Sequence, residues 1–331
     1  MERILLAIGL ICSIATTTHA QQEGQYTQFM YNKTLVNAGY TGARRVHSVY
    51  GIYRNQWMGF NGNPQSYLVS YDGPIGKKLG VGFNLVNQEL GVTKNQFANL
   101  LMSYGIIQTD DMSLRMGINT AIRRYSYSLT DPNVYIQDPQ DASLRQSEQV
   151  ARNYFNVGAG VYFDYKNYYI GLSVPNLNKN LISVGFNPNS TTAAQEKQHV
   201  YLMTGGLFKI KEDVEFKPSV LLKYVENAPF SLDMNLSMVF KRRFTVGASY
   251  RYGESGGAGD SVDALAFFQI SDKLGIGAAY DFTLSGLRKH TAGSIEAMLR
   301  YDFAPNPARQ VLKKNKEDID PNRLSNPRFF F

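Results

Sequence analysis

The residues that could carry out chemistry are few, and their spacing is poor for it. The chain has four histidines, His19, His47, His199 and His290, and one cysteine, Cys12. A histidine base needs a partner within hydrogen-bond reach. No G-x-S-x-G or H-E-x-x-H run supplies one. Residues 253–259 are glycine-rich but contain no lysine, so they read as a flexible loop rather than a phosphate cradle. Asp131, Asp138 and Asp141 suggest a cation site, but their spacing does not match a calcium loop. A lipid-modifying enzyme would need a Ser/His or Asp/His pair, and nothing specifies one. The expectation is a protein without catalytic residues, cofactor or metal. The remaining candidate bears on recognition. Trp57, the single tryptophan, lies three residues from Arg54, and these two types are enriched in binding hot spots.

The elements that would hold such residues follow from composition. Of 331 residues, 44% are hydrophobic, 13% aromatic and 18% charged. That is too apolar for a disordered chain, and the charged share is below the ~25% usual for soluble domains. Mean hydropathy is −0.28, which argues against a polytopic helical membrane protein. Residues 4–15 form an apolar run too short to span a bilayer with confidence. Thr18-His19-Ala20 then places small residues at a cleavage site, so residues 1–20 read as a secretory signal peptide. Cys12 and His19 would leave with it, and a cysteine-free mature chain excludes disulfides and thiolate sites. The net charge of +7 comes from basic residues scattered over turns, such as Lys77-Lys78 and Lys241-Arg242-Arg243, and over the last segment. No nucleic acid is expected as a partner.

Alternation with period two dominates the rest. Ile295, Ala297, Leu299, Tyr301 and Phe303 share one face of an extended chain, and Ser294, Glu296, Arg300 and Asp302 the other. Leu232, Met234, Leu236 and Met238 alternate in the same way with Ser231, Asp233, Asn235 and Ser237. A strand separates these sets and a helix cannot. Such runs number about 14, the first over 44–54 and the last over 290–303, an even count in the range of bacterial barrels. Connections alternate between short turns and long loops, the longest at 127–152 and 176–196, and tyrosines gather near strand ends. A soluble β-sandwich or propeller would turn its apolar sets inward and its polar sets outward. The expected fold is therefore all-β: an antiparallel transmembrane β-barrel of the outer membrane, with both chain ends on the short-turn, periplasmic side. It divides into the signal peptide 1–20, a periplasmic or lumenal segment 21–43, the barrel 44–303 and a basic periplasmic tail 304–331.

Residues 25–76 carry more than pattern. They read Gln25-Tyr26-Thr27-Gln28-Phe29-Met30-Tyr31-Asn32, then Asn37-Ala38-Gly39-Tyr40-Thr41-Gly42, then Arg54-Asn55-Gln56-Trp57-Met58-Gly59-Phe60-Asn61-Gly62-Asn63-Pro64, and Gly73-Pro74-Ile75-Gly76. This series resembles the PorP/SprF family of the type IX secretion system of Bacteroidetes. That family carries Q-[YF]-[ST]-Q-[YF]-M-[YF]-N, N-P-A-Y-A-G, R-x-Q-W-x-G-x-x-G-x-P and S-P-I-G. The terminal Asn326-Pro327-Arg328-Phe329-Phe330-Phe331 is also similar to the family's ending. The second motif departs from it, with Ala38 in place of proline and Thr41 in place of alanine. The resemblance implies an outer-membrane barrel without enzymatic activity. It would support secretion of cargo bearing C-terminal sorting domains, or deliver gliding adhesins to the surface. The implied partners are PorK, PorL, PorM and PorN or a PorE-like protein, together with outer-membrane lipid.

Three sets of residues become candidate sites. Tyr26, Gln28, Tyr31, Asn32, Asn37, Tyr40 and Gly42 precede the first strand, where the chain is too apolar for a free tail. They either close the lumen or form a periplasmic docking segment. Arg54, Gln56, Trp57, Gly59, Gly62 and Pro64 fall on the first long loop. They either pack into the barrel mouth or meet a partner. Arg328, Phe329, Phe330 and Phe331 are candidates for periplasmic docking, because exposed aromatics usually find cover. The alternative function is a passive channel for small or hydrophobic solutes, which differs from the first in needing an open lumen.

Overall fold

The computed structural model describes residues 24–109, 111–128, 149–182, 194–226, 228–253 and 259–303. The expected signal peptide 1–20, the tail with Arg328–Phe331, the aspartates of 129–148 and residues 254–258 lie outside the described residues. Small and polar residues gather at the inward positions of the strands, among apolar ones such as Leu68, Phe267 and Met298, and the outward positions are rich in large apolar residues, so the buried charged side chains face the lumen and the lipid meets a largely apolar wall. On the last strand Ser294, Glu296, Met298, Arg300 and Asp302 are buried, whereas Ile295, Leu299 and Tyr301 are exposed. That is the inverse of a soluble barrel and matches a wall bathed in hydrocarbon.

The strands close an antiparallel barrel of 14 strands. They are β1 Ser48–Asn55, β2 Gln65–Ile75, β3 Leu79–Leu90, β4 Thr93–Gln108, β5 Met112–Ser128, β6 Gln149–Tyr165 and β7 Tyr168–Val174. Next come β8, His199–Gly206 continued by Phe208–Lys211, then β9 Val214–Val225, β10 Ser231–Phe240, β11 Phe244–Tyr252, β12 Ser261–Gln269, β13 Leu274–Thr283 and β14 Ser294–Asp302. Each strand pairs with its neighbours in sequence. Closure comes from β1 on β14, running from Ser48 opposite Asp302 to Asn55 opposite Ile295. Each strand therefore has a hydrogen-bonded partner on both sides, which is the condition for a sheet to sit in lipid. Among the described residues no helix is long and apolar enough to cross a membrane.

Turns at one end of the barrel are all short, from two residues between β6 and β7 to four between β12 and β13. The long connections share the other end. A small hairpin, Leu181–Ile182 on Ala194–Gln195, lies within the β7–β8 connection. Both outermost strands are shorter than the alternation predicts. The first was expected from residue 44, but the chain turns tightly at Gly42, with φ +70, and Arg44 points into the lumen. The last was expected from residue 290. Residues 291–293 instead bond to the β1–β2 loop, where Met58 N–H donates to Gly293 and Ala292 N–H to Met58.

Residues 24–44 lie inside the barrel, and Arg45 and His47 are exposed where the segment leaves it. Gly24 sits beside Gln88 near the long-loop end, and the segment descends to His47 at the short-turn end, where Phe303 N–H bonds to its carbonyl. Both chain ends were expected on the short-turn side. The start of β1 and the end of β14 are there, but the segment before β1 has crossed the lumen, so Gly24 is not.

The β10–β11 turn holds Lys241 and Arg242 at φ 49 and 52. These are left-handed positions that suit a type I′ turn, closed by Arg243 N–H on the Phe240 carbonyl, but cost L-residues about 1–2 kcal/mol each. Replacing Lys241 with glycine should stabilise the barrel by up to about 1 kcal/mol. The check is the urea midpoint for unfolding from lipid vesicles, and an unchanged or lower midpoint contradicts it.

Candidate functional site: the lumen and its long-loop mouth

The N-terminal segment is held by the wall at three levels. Near the long-loop end, Glu296 of β14 accepts hydrogen bonds from the consecutive N–H groups of Thr27 and Gln28 at 2.8 and 2.9 Å. Arg54 of β1 donates to Asp281 at 2.6 Å, to Glu296 at 3.2 Å and to the Thr27 hydroxyl at 2.9 Å. The Thr27 hydroxyl donates in turn to Asp281. Arg54 is 2% exposed. Next to this cluster, Asp233 is paired with Lys223 and Arg251, each at 2.7 Å. Charges this deeply placed are tolerable only when paired and hydrogen-bonded, and here the segment's backbone supplies part of the bonding.

At mid-height the contacts are aromatic and close-packed. Tyr31 stacks on Phe267 with centroids 4.6 Å apart, and the Lys217 amine lies 3.9 Å from the Tyr31 ring. Lys33 lies between the rings of Tyr40 and Tyr169, at 4.8 and 4.6 Å. Asn37 caps the 3-10 turn Ala38–Tyr40 through Gly39 N–H and donates to the carbonyls of Val161 and Leu172 on β6 and β7. This close approach needs small wall residues. A Cβ on Gly117 would fall 2.3 Å from the Ala38 carbonyl carbon, and one on Gly160 would fall 2.2 Å from the Asn37 side-chain oxygen.

Toward the short-turn end, Arg44 forks onto both oxygens of Asp302 at 2.9 and 3.0 Å and donates to Ser48 and Tyr50. Gly42 N–H donates to Asp72, and Ser103 holds the Thr41 carbonyl. All the candidate residues ahead of β1 therefore face the lumen: Tyr26, Gln28, Tyr31, Asn32, Asn37 and Tyr40 are buried, and Gly42 makes the turn.

The second candidate set divides. Arg54 belongs to the lumen cluster. Gln56, Trp57, Gly59, Gly62 and Pro64 form the rim of the mouth. Gln56 N–H donates to Pro64, Trp57 N–H to Ser294, and Gly91 N–H of the β3–β4 turn to Gly62. Trp57 adopts φ 53 and Gly59 φ 106. Trp57 is half-buried and Phe60 remains exposed.

The structure brings in partners that the motifs did not name. Asp72, Lys217, Asp281, Glu296 and Asp302 all answer the N-terminal segment. Charged types at inward strand positions were their signal, visible for Glu296 and Asp302, but which strand would meet the segment was not readable. The histidines do not converge. His47 bonds to Tyr71 at the short-turn end, and His199 to the carbonyl of Lys197 near the long-loop end. Among the described residues no group of three or more His, Cys, Asp or Glu could hold a metal.

With this geometry in view, comparison with known proteins is decisive at the level of family. The model for the type IX secretion system membrane protein PorP/SprF matches residues 18–301. The chain belongs to the PorP/SprF family. A closed barrel with a lipid-facing wall in this family is an outer-membrane component. No curated protein matches significantly. Solved structures of similar shape include the toluene transporter TbuX of Ralstonia pickettii, at 9% identity and TM-score 0.46, with 83% of this chain and 92% of that one covered. A FadL homologue of Pseudomonas aeruginosa is similar at 12% identity and TM-score 0.41, covering 78% and 89%. The KdgM porin is similar at 10% and 0.36, covering 78% and 99%.

Two outcomes follow from how this PorP/SprF barrel holds its inner segment. Arg54→Ala leaves Asp281 and Glu296 buried without their shared cation, a loss of about 3–5 kcal/mol. The segment should then become cleavable by trypsin at Lys33 and Arg44 in the folded barrel, and resistance equal to the parent contradicts this. The second concerns pH. Burial, with Arg44 nearby and Asp164 opposing, lowers the Lys33 ammonium to about 7, far below the ~10.4 of a free lysine. The unfolded chain then binds more protons between these values, so stability is lowest at and below pH ~7 and rises toward pH ~10. Lys33→Met should remove that rise. Thermal midpoints of the heat-modifiable band at pH 7 and pH 10 decide it, and an equal rise in both proteins contradicts it.

Proposed function

We propose that this PorP/SprF barrel is a closed, non-conducting and non-enzymatic accessory of type IX secretion. It acts by recognition, and its inner segment serves as a permanent plug. The supporting observation is the three-level bonding of the inner segment to the wall, which a mobile gate would have to break each time it opened: the buried Arg44–Asp302 ion pair and the hydrogen bonds of Thr27, Gln28 and Gly42 to Glu296, Asp281 and Asp72. A filled lumen leaves the two ends for work. In this reading the long loops, with the Trp57 rim, face outward and meet cargo carrying C-terminal sorting domains, including gliding adhesins. The short turns and the 304–331 tail face the periplasm, with Arg328–Phe331 available to the PorK–PorN ring, the PorL–PorM motor components or a PorE-like anchor.

Membership of the family favours secretion over solute uptake, and the bonded lumen argues against the channel alternative. The test joins three measurements. In planar bilayers the purified barrel should show no steady conductance, and an open-pore conductance overturns the plug. Asn61→Cys should react with a membrane-impermeant maleimide on intact cells, and Lys77→Cys only after permeabilisation; the reverse pattern inverts the orientation. A deletion strain should selectively lose surface and secreted proteins that share a C-terminal sorting domain, with recovery on complementation. An unchanged proteome overturns the secretion role.

A further inference from the structure

The membrane-facing wall carries a groove of about 440 Å³ over β2–β5. Its origin lies in one cross-strand row. Val69, Leu85, Ala98, Ile122 and Phe155 stand side by side on successive strands. All are large and exposed except Ala98, whose short side chain leaves a trough between Leu85 and Ile122. The next row toward the long loops, about 6.7 Å further along the strands, changes character. It reads Tyr67, Asn87, Gln96, Arg124 and Asn153. Gln96 donates to Asn87 at 3.0 Å. Glu89, one row beyond, is already paired with Lys94 at 3.1 Å. Arg124 lines the groove, and its side chain makes no hydrogen bond or ion pair among the described residues.

We propose that this groove is a binding site for a phosphate-bearing membrane lipid. One acyl chain lies along the trough over Ala98, and the phosphate sits one row higher against Arg124. A trough in a lipid-facing wall has to be filled, because the hydrocarbon around it gains contacts by entering. A guanidinium at the apolar-to-polar boundary fits the head group: its planar fork matches two phosphate oxygens and is weakly hydrated. The charge selects an anionic lipid, and the two-row spacing joins chain to head in one molecule. This inference rests on the barrel wall alone and is independent of the secretion role.

The test uses native mass spectrometry of the full-length barrel in detergent, with phosphatidylglycerol and a neutral diacylglycerol of matched chains as probes. The parent protein should retain one phosphatidylglycerol per chain, about tenfold over diacylglycerol, as expected for a charge-assisted contact. Arg124→Gln should reduce phosphatidylglycerol to the diacylglycerol level, and Ala98→Leu, which fills the trough, should reduce both. Heat-modifiable migration shows that each variant is folded. Equal retention of the two lipids by the parent would mark a groove for apolar molecules only and overturns the proposal. So does either variant that binds phosphatidylglycerol as the parent does.

Discussion

A sheet closed in hydrocarbon has a second face, and that face needs a solvent. Every other side chain of the fourteen strands points into the lumen, where Arg54, Asp281, Glu296, Arg44 and Asp302 are nearly without exposure. Water could satisfy such groups in an open pore. Here the chain's own residues 24–44 do so, and the match is atomic: Glu296 takes two consecutive backbone N–H groups, Asp72 takes a third at Gly42, and Ser103 returns a hydroxyl to Thr41. The short 3-10 turns of this segment, the glycines of the facing wall and the placement of charges along β1, β13 and β14 are all consequences of filling a polar lumen with a peptide. A buried ion pair gains little stability over a well-packed apolar substitute, but it penalises any arrangement that separates its members. The network therefore fixes where the segment lies more than it strengthens the barrel.

The barrel was legible because its signal is redundant. Fourteen strands repeat one rule, and a misplaced boundary on β1 or β14 does not disturb the others. Leu232 to Met238 against Ser231 to Ser237 identifies an outward and an inward face without knowledge of any neighbour. The lumen was harder. Apolar Tyr26, Phe29, Met30, Tyr31 and Tyr40 show that the first segment seeks cover, but cover under the barrel and cover inside it demand the same residues. What separates the two is pairing at long range, as between Thr27 and Asp281 or Arg44 and Asp302, and a single sequence carries no record of such pairs. The direction of the segment was hidden for the same reason. Strand parity places the start of β1 at the short-turn end, but it says nothing about a chain that has already travelled the lumen before β1 begins.

The family and the geometry inform each other. Membership in PorP/SprF names a secretion system but leaves open how the barrel serves it. The filled lumen bears on that choice: in the proposed reading, a wall this closely bonded to its contents serves as a platform rather than a conduit. Trp57 fits this reading in a particular way. Its backbone is held in a left-handed conformation by contacts to Ser294 and, through Met58, to Gly293. The rim is thereby pre-organised, and a pre-organised surface loses less conformational freedom on binding.

The inner segment also bears on how the barrel closes. The seam joins β1 to β14, the first strand to the last, so its loop-closure entropy is the largest in the sheet. At that seam Arg44 bonds at once to Ser48 and Tyr50 on β1 and to Asp302 on β14. Arg54 on β1 reaches Glu296 on β14 while Thr27 bridges to Asp281 on β13. Contacts that need the segment, β1 and the last two strands together cannot form before all of them have arrived. A barrel closed first would offer no entry for a segment whose backbone lies against Gly117 and Gly160 with no room for a Cβ between. Filling the lumen and sealing the seam are therefore energetically coupled, and the segment ahead of β1 is held in place by β13 and β14.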